Sequence, residues 1–561
     1  MAPEIYINSI TFNDGTKIDV EQGDIVVIVG ANNSGKSQSL VDIQNIVKSK
    51  VTGIVVSDVA INIPTDFDYN SYFAERFIVK EDGAYTYYHG VGFSLFAGSL
   101  DSIRHSHCLD SCSNVFIRRL STAERLSVCN PPESVNVDAP PLHPIHLLAR
   151  SPEFRRKVTK RFKEAFGCEL VPDVMFGRTV PLRCVDEIPD MSQFSGEDEF
   201  SRQDKFYGYL RKFPVLHSQG DGMRSFAGVL LNLIMDYVRM FLIDEPESFL
   251  HPPQARIMGS LIGEVLNDNQ QAFIATHSEE IIRGLISAAP KRVKVVRLSR
   301  EASINRLAVL DSSAFTDIWS DPVLRYSNIM SGMFHTKTVV CESDSDCQFY
   351  SAVDAHLKQK SNKYPEALYV CCGGKSRFSI VARALRSLAI DYRIIGDIDV
   401  LNDEEYFKAL IYSIGINWSD VCAEYQNVAA NLRVPRDKIG RKEAESLINS
   451  ILRDSSEVYL SKKEIADIKD AVRVETKWDL LKRGGVSVIP AGDPTNAWKS
   501  LNEKLKAHGL FLLPVGEIEN FVKEVGGLHG PGWVTKVLSG YPDMDNEVYR
   551  EVSAFVQELN V

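Results

Sequence analysis

At 561 residues the chain is too long for a single hydrophobic core and implies two to four domains. Its 44% hydrophobic and 24% charged residues are the proportions of an ordinary globular protein. The 63 Lys and Arg against 74 Asp and Glu leave a net charge of −11, which excludes a generally basic nucleic-acid-coating protein; contacts to nucleic acid must come from local patches or bound metal ions.

The opening residues, MAPEIYINSITFNDG, show no basic region followed by an apolar core, so no signal peptide is expected. DIVVIVG (24–30) then reads as a buried strand, and ANNSGKS leads from it into a helix-compatible segment. Together they fit the phosphate-loop pattern G-x-x-x-x-G-K-S. Gly30 and Gly35 let the backbone N–H groups around Asn32, Asn33 and Ser34 turn inward onto phosphate oxygens. Lys36 reaches the β- and γ-phosphates, the Ser37 hydroxyl is placed to hold Mg²⁺, and the helix N-terminus faces the anion. ATP is therefore the expected cofactor.

HSHCLDSC (105–112) has no second ligand pair at a metal-site spacing and reads as a loop. Residues of about 95–210 are polar and proline-bearing and are expected to form a helical insertion in the nucleotide domain. Within them, SPEFRRKVTKRFKEAFG (151–167) is a basic helix starting at Ser151, its charged face open to nucleic acid or simply to solvent. SFAGVLLNLIMDYVRMFLID (225–244) is interrupted by Asn232, Asp236 and Arg239. It reads as a buried helix and a core strand, not a membrane span, and no membrane association is expected.

That strand ends in Asp244 and Glu245. Asp244 is placed to hold Mg²⁺ through water or Ser37, and Glu245 to orient or deprotonate the attacking water. QAFIATHSEEII (271–282) is a further strand, and it sets His277 at the sheet edge, where the γ-phosphate binds. The ten cysteines follow no disulfide framework and suit the reduced thiols of a cytoplasmic protein.

The pattern restarts after a linker expected at 316–335. KTVVCESDSDCQFYSAV (337–353) gives a strand, Glu342 and a helix. ALYVCCGGKSRFSIVARAL (367–385) gives a strand, a glycine turn and a helix. YRIIGDIDVLNDEE (392–405) gives a strand ending in Asp397 and Asp399. This order implies an open parallel α/β sheet with its acids at the strand ends. Crowded carboxylates repel unless a cation neutralises them, and an oxygen-only ligand set suits Mg²⁺ or Mn²⁺. Two such ions activate a water and stabilise the leaving oxygen in phosphodiester cleavage. The polar segment at about 404–485 reads as a helical insertion. Lys375, Arg377 and the basic residues of 433–442 are candidate phosphate contacts, which position nucleic acid without reading its sequence.

The phosphate loop, DEPESFLHP and THS resemble the ABC-type ATPase heads of transporters, SMC and recombination-repair proteins. No long heptad run or membrane segment accompanies them, which disfavours a transporter or a chromosome-tethering ring. That family also carries a signature loop, matched here by HSQGDGMRSF (217–226) through Ser218 and Gly220, though not in the usual Leu-Ser-Gly-Gly-Gln wording. The resemblance implies a head-to-tail homodimer with ATP at the interface, or a higher oligomer.

The order Glu, Gly-Gly, Asp-x-Asp resembles the TOPRIM domain. An ATPase head (1–315) followed by a TOPRIM domain (336–561) is the layout of the OLD (overcoming lysogenization defect) nucleases, the family of the Gabija nuclease subunit and some retron effectors. That resemblance implies an ATP-regulated, metal-dependent endonuclease cutting nucleic acid, with DNA the expected substrate, in anti-phage defence alongside a partner protein or RNA. It assigns Glu517 and Glu519 of HGLFLLPVGEIENFVKEV (508–525) to the late acidic cluster of a two-metal site. Lys523 is assigned the accompanying lysine and Asp346 an additional ligand. The alternative is an ATP-dependent nucleic-acid sensor or scaffold with a degenerate acid site; a topoisomerase or primase shares the acids, but no partner domain, strand-passage tyrosine context or zinc-ribbon spacing accompanies them.

Overall fold

Ile25–Val29 (β1) is five consecutive branched apolar residues, all buried, at ~1.5–3 kcal/mol for each fully buried side chain. Such a run, apolar on both faces, belongs in the middle of a sheet covered on both sides. The computed structural model describes all residues except 1–2, 107, 137–138, 190, 195–197, 302–303, 311–327, 363–366, 433–439, 454–458, 472–476, 527–528 and 561. The chain divides into two compact units, Met1–Ser313 and Ala314–Val561.

In the first unit β1 leads through the phosphate loop into α1 (Lys36–Ser49). Then come β2 (Ile117–Leu120), α2 (Thr122–Ser127), α3 (Asp221–Leu233), β3 (Met240–Asp244), α4 (Pro252–Val265), β4 (Gln271–Ala275), α5 (Glu279–Ala288), β5 (Val293–Glu301) and β6 (Ile304–Leu310). The sheet order is β6-β5-β1-β4-β3-β2, with every pair parallel except β5 and β6. One consequence is decisive for the site: β1, β4 and β3 are neighbours, so the residues following each strand meet at one edge. The helices α4 and α5 pack through glycines. A Cβ on Gly284 would overlap the Arg256 carbonyl, and one on Gly259 the Ile281 carbonyl.

The expected insertion at 95–210 needs correcting, because β2 lies inside it and joins the core sheet beside β3. Its four residues, Ile-Arg-Arg-Leu, bury only the two ends, too short and too charged a signal for a core strand. The same stretch also holds a two-stranded antiparallel pair, Glu169–Pro172 with Leu182–Val185. The expected linker at 316–335 is corrected in part as well. Asn328–Phe334 is a 3₁₀ segment whose Ile329, Met330 and Met333 are fully buried.

The second unit orders β7 (Lys337–Cys341), α6 (Asp344–Lys360), β8 (Ala367–Cys371), α7 (Phe378–Ser387), β9 (Tyr392–Gly396) and β10 (Leu510–Leu512). Its sheet runs β8-β7-β9-β10, entirely parallel. Parallel strands all point their C-terminal ends to one edge, where ligands of open α/β sheets bind. A core around Phe349, Tyr350, Trp533 and Phe555 packs α6 against the C-terminal helices. The described part of 404–485 is helical, with helices at Glu404–Ser413, Cys422–Leu432, Arg441–Arg453, Lys462–Ala471 and Lys477–Gly484. Of the basic residues at 433–442, those at 433–439 lie outside the described residues.

Candidate functional site

The phosphate loop is held by backbone conformations that few side chains tolerate. Gly30 has φ +151°, Gly35 has φ +99°, and a Cβ on Gly30 would overlap the Leu298 carbonyl. Asn33 also adopts a positive φ, 62°, which asparagine accepts more readily than most residues. Lys36 is only 8% exposed and donates to the carbonyls of Gly30 (2.8 Å) and Ala31 (3.0 Å). Burial lowers its proton affinity, while Glu245, Glu247 and Asp244 raise it. The Ser34 hydroxyl is buried with no partner. An orphaned donor in a cradle of turned-in amides fits a phosphate-bearing ligand.

Ser37 Oγ donates to Asp244 Oδ1 at 2.8 Å, which joins the end of β3 to the start of α1. Burial raises the proton affinity of Asp244, and the Ser37 bond opposes it. This hydroxyl–carboxylate pair is a donor set suited to Mg²⁺. Glu245 sits at φ +45°, its N–H on the Ala275 carbonyl at 2.8 Å. Glu245 Oε1 lies 3.6 Å from His277 Nδ1. The structure thus brings together Lys36, Ser37, Asp244, Glu245 and His277. Ser218 Oγ instead donates to the Val215 carbonyl at 2.8 Å, and Gly220 caps α3. Beside them, a Cβ on Gly222 would lie 2.6 Å from the Phe249 carbonyl, just after the DEPES run.

Two residues in this site escaped the sequence reading. Glu247 is 7% exposed, and its Oε1 accepts from the Thr276 hydroxyl (2.8 Å) and the His277 N–H (2.9 Å). The same oxygen lies 3.1 Å from His277 Nδ1. Burial raises its proton affinity, and its Oε2 has no partner. Its place in DEPES was the available signal. Arg125, on α2, is fully buried. It donates to the carbonyls of Leu120, Asp244 and Glu245, to Thr122 Oγ1, and to Ser225 Oγ on α3. Nothing in its local sequence marks it.

In the second unit, Glu342 follows β7, Lys375 follows β8, Asp397 and Asp399 follow β9, and Glu517 and Glu519 follow β10. Lys375 Nζ donates to Asp399 Oδ2 at 2.8 Å, whereas Asp399 Oδ1 is buried without a partner. The Asp397 carboxyl is pushed up to about 8, first by burial and then by Asp399 and Glu342. Glu342 is raised too, again mainly by burial.

One ligand atom each from Glu517, Glu519 and His529 lies within 4.8 Å of the others. His529 had no motif to announce it. Asp346 lies where Glu519 and Asp397 feel its charge, but Ser343 engages both its oxygens in a helix cap. Lys523 is exposed, and a second lysine beside Lys375 meets the acids: Lys482 Nζ is 3.3 Å from Glu517 Oε2, and Asp399 and Asp397 also raise its proton affinity. Lys482 comes from the helix Lys477–Gly484, well before Glu517 in the chain, and no motif marked it. The donor set of oxygens with one imidazole, an orphaned carboxylate oxygen and an acid whose proton affinity is raised by burial and by neighbouring carboxylates fit Mg²⁺ or Mn²⁺.

Among known proteins, residues 186–283 match the family described as "AAA domain, putative AbiEii toxin, Type IV TA system". That match covers Asp244, Glu245 and His277. The first unit carries a P-loop ATPase domain. Solved structures similar to the chain include heads of SMC proteins. An SmcHead bound to the C-winged helix domain of ScpA is 12% identical, covers 55% of this chain and 98% of its own, and has a TM-score of 0.32. An SMC head domain from Thermotoga maritima is 14% identical, covers 55% of this chain and 100% of its own, and has a TM-score of 0.26. A search of curated proteins finds no match. Among the described residues, no helix is long and apolar enough to cross a membrane.

Proposed function

We propose that the chain is an ATP-regulated, divalent-metal-dependent endonuclease of the OLD type. In this reading the second unit is a TOPRIM domain, the substrate is DNA, and the setting is anti-phage defence in the cytoplasm. The observation that carries the proposal is the convergence of Glu342, Asp397, Asp399, Glu517 and Glu519 from three neighbouring strand ends, with Asp397 pushed up to about 8. Such crowding raises the free energy of the empty site and is relieved by cations.

Asp399 through its free Oδ1, Asp397 and Glu342 would hold one ion, and Glu517 and Glu519 with His529 a second. When bound, the ions supply water activation and stabilisation of the leaving oxygen. Lys375 and Lys482 are placed to meet phosphodiester oxygens, and they hold Asp399 and Glu517 in position meanwhile. In the head, Lys36 binds the β- and γ-phosphates, Ser37 and Asp244 hold Mg²⁺, and Glu245 with His277 orients the attacking water. Head-to-tail dimerisation would bring the Ser218–Gly220 loop of a second copy to the nucleotide.

A second reading, an ATP-dependent nucleic-acid sensor or scaffold, draws on the same lysines. Two of the five acids are already paired with internal cations, as in an acid site that works without metal. Purified protein incubated with plasmid and linear DNA, with and without ATP and Mn²⁺, separates the two. Metal-dependent nicking supports the nuclease. Nucleic-acid binding without cleavage in any metal supports the sensor.

A further inference from the structure

A cavity of about 480 Å³ lies along β2 at the edge of the head's sheet, a size within the ~300–1,000 Å³ typical of small-molecule sites. It is walled by Gln44 of α1, by Arg118 and Arg119 of β2, and by His143 before the helix Pro144–Arg150. None of Gly30–Ser37, Asp244 or Glu245 lines it, so it is separate from the ATP cradle.

Its charge is one-sided. Arg118 reaches the Val91 carbonyl (3.4 Å), the Met235 sulfur (3.7 Å) and the Tyr237 hydroxyl, and its Nε is buried without a partner. Neither Arg118 nor Arg119 makes a close carboxylate ion pair among the described residues, although Asp244 feels the Arg119 charge. The single acid in the lining, Glu124, accepts the Ser121 N–H at 2.7 Å in a helix cap. His143 Nδ1 accepts the Ile145 N–H at 3.2 Å, which leaves its Nε2 as a donor. Burial, then His146 and Arg118, push this imidazole down to about 4, so it stays neutral. Two guanidinium forks and a neutral N–H donor in a concave wall match the oxygens of a phosphate group.

We infer that this cavity is a second anion site, which takes a free phosphorylated small molecule of nucleotide size. The wall is wired to the first site. β2 runs directly into Thr122 and Arg125, and Arg125 holds the carbonyls of Asp244 and Glu245.

Calorimetric titration of pyrophosphate into full-length Lys36→Ala protein tests the inference, since that change removes the main countercharge of the ATP cradle. One remaining binding event is expected, weakened about tenfold or more by Arg119→Gln, the loss of a charged hydrogen bond. His143→Ala should weaken the same event and decides the matter if Arg119→Gln does not fold. AMP should compete for it. No binding, or binding indifferent to both substitutions, overturns the proposal. Displacement by a short single-stranded DNA but not by AMP also overturns it, by assigning the cavity to nucleic acid.

Discussion

Loss of the buried Glu247 carboxylate should disable ATP turnover while leaving the phosphate cradle intact. One of its oxygens accepts from Thr276 Oγ1 at 2.8 Å and the His277 N–H at 2.9 Å, and sits 3.1 Å from His277 Nδ1. In Glu247→Ala both donors lose their acceptor in the interior. At about 1–3 kcal/mol for each unsatisfied group, the unfolding free energy should fall by roughly 2–6 kcal/mol. Glu247→Gln keeps the accepting oxygen, so its stability loss should stay near that of one ordinary hydrogen bond, about 1 kcal/mol.

The amide no longer carries charge to orient the imidazole of His277. Turnover in Glu247→Gln should therefore drop by about tenfold or more, the equivalent of one charge-assisted bond. Urea unfolding, phosphate release and nucleotide affinity, measured on both variants, check this. Wild-type turnover in Glu247→Gln, or a stability loss below ~0.5 kcal/mol in Glu247→Ala, would refute the role assigned to this carboxylate.

Lys36→Ala should abolish tight ATP binding in calorimetry, because the principal cation of the cradle is gone; unchanged affinity contradicts the assignment. Gly284→Ala should lower the unfolding free energy of the head by ~1–3 kcal/mol in urea titrations, because the added methyl overlaps the Arg256 carbonyl and forces α4 and α5 apart. In EDTA, Asp397 makes the protein lose stability as pH rises. Its carboxyl moves from 3.8 to about 8 on folding, so the folded state keeps a proton that the unfolded chain releases. The contribution is full below about 4 and disappears through about 8. Melting curves from pH 5 to 9 should show that fall. Asp397→Asn or added Mn²⁺ should flatten it, and a stability that climbs over the range contradicts the crowded-acid account.

The parts of both sites that were legible in the sequence are those carried by short spacings. Gly30 to Ser37 is one loop, and Asp244-Glu245 and Asp397-x-Asp399 each end an apolar strand, so the strand itself places them. Groups delivered from a distance were not legible. Arg125 looks like any surface residue of an amphipathic helix until the fold closes over it. Lys482 comes from a helix that precedes the last strand. Asp346 shows the opposite limit. A Ser-x-x-Asp cap and a metal ligand look alike in sequence, and here Asp346 caps its helix through one bond to each oxygen. β2 was hidden for a third reason, since an edge strand of four residues bearing two arginines lacks the continuous apolar run that betrays a buried strand.

The central claim is that one chain holds two separate metal-dependent chemistries. Asp397→Ala, assayed on one preparation for Mn²⁺-dependent DNA nicking and for ATP hydrolysis, tests it most directly. The account predicts that nicking is abolished while ATP hydrolysis largely survives, because Ser37 and Asp244 belong to the other unit. Nicking at the wild-type rate, or loss of both activities in a fully folded protein, would contradict it.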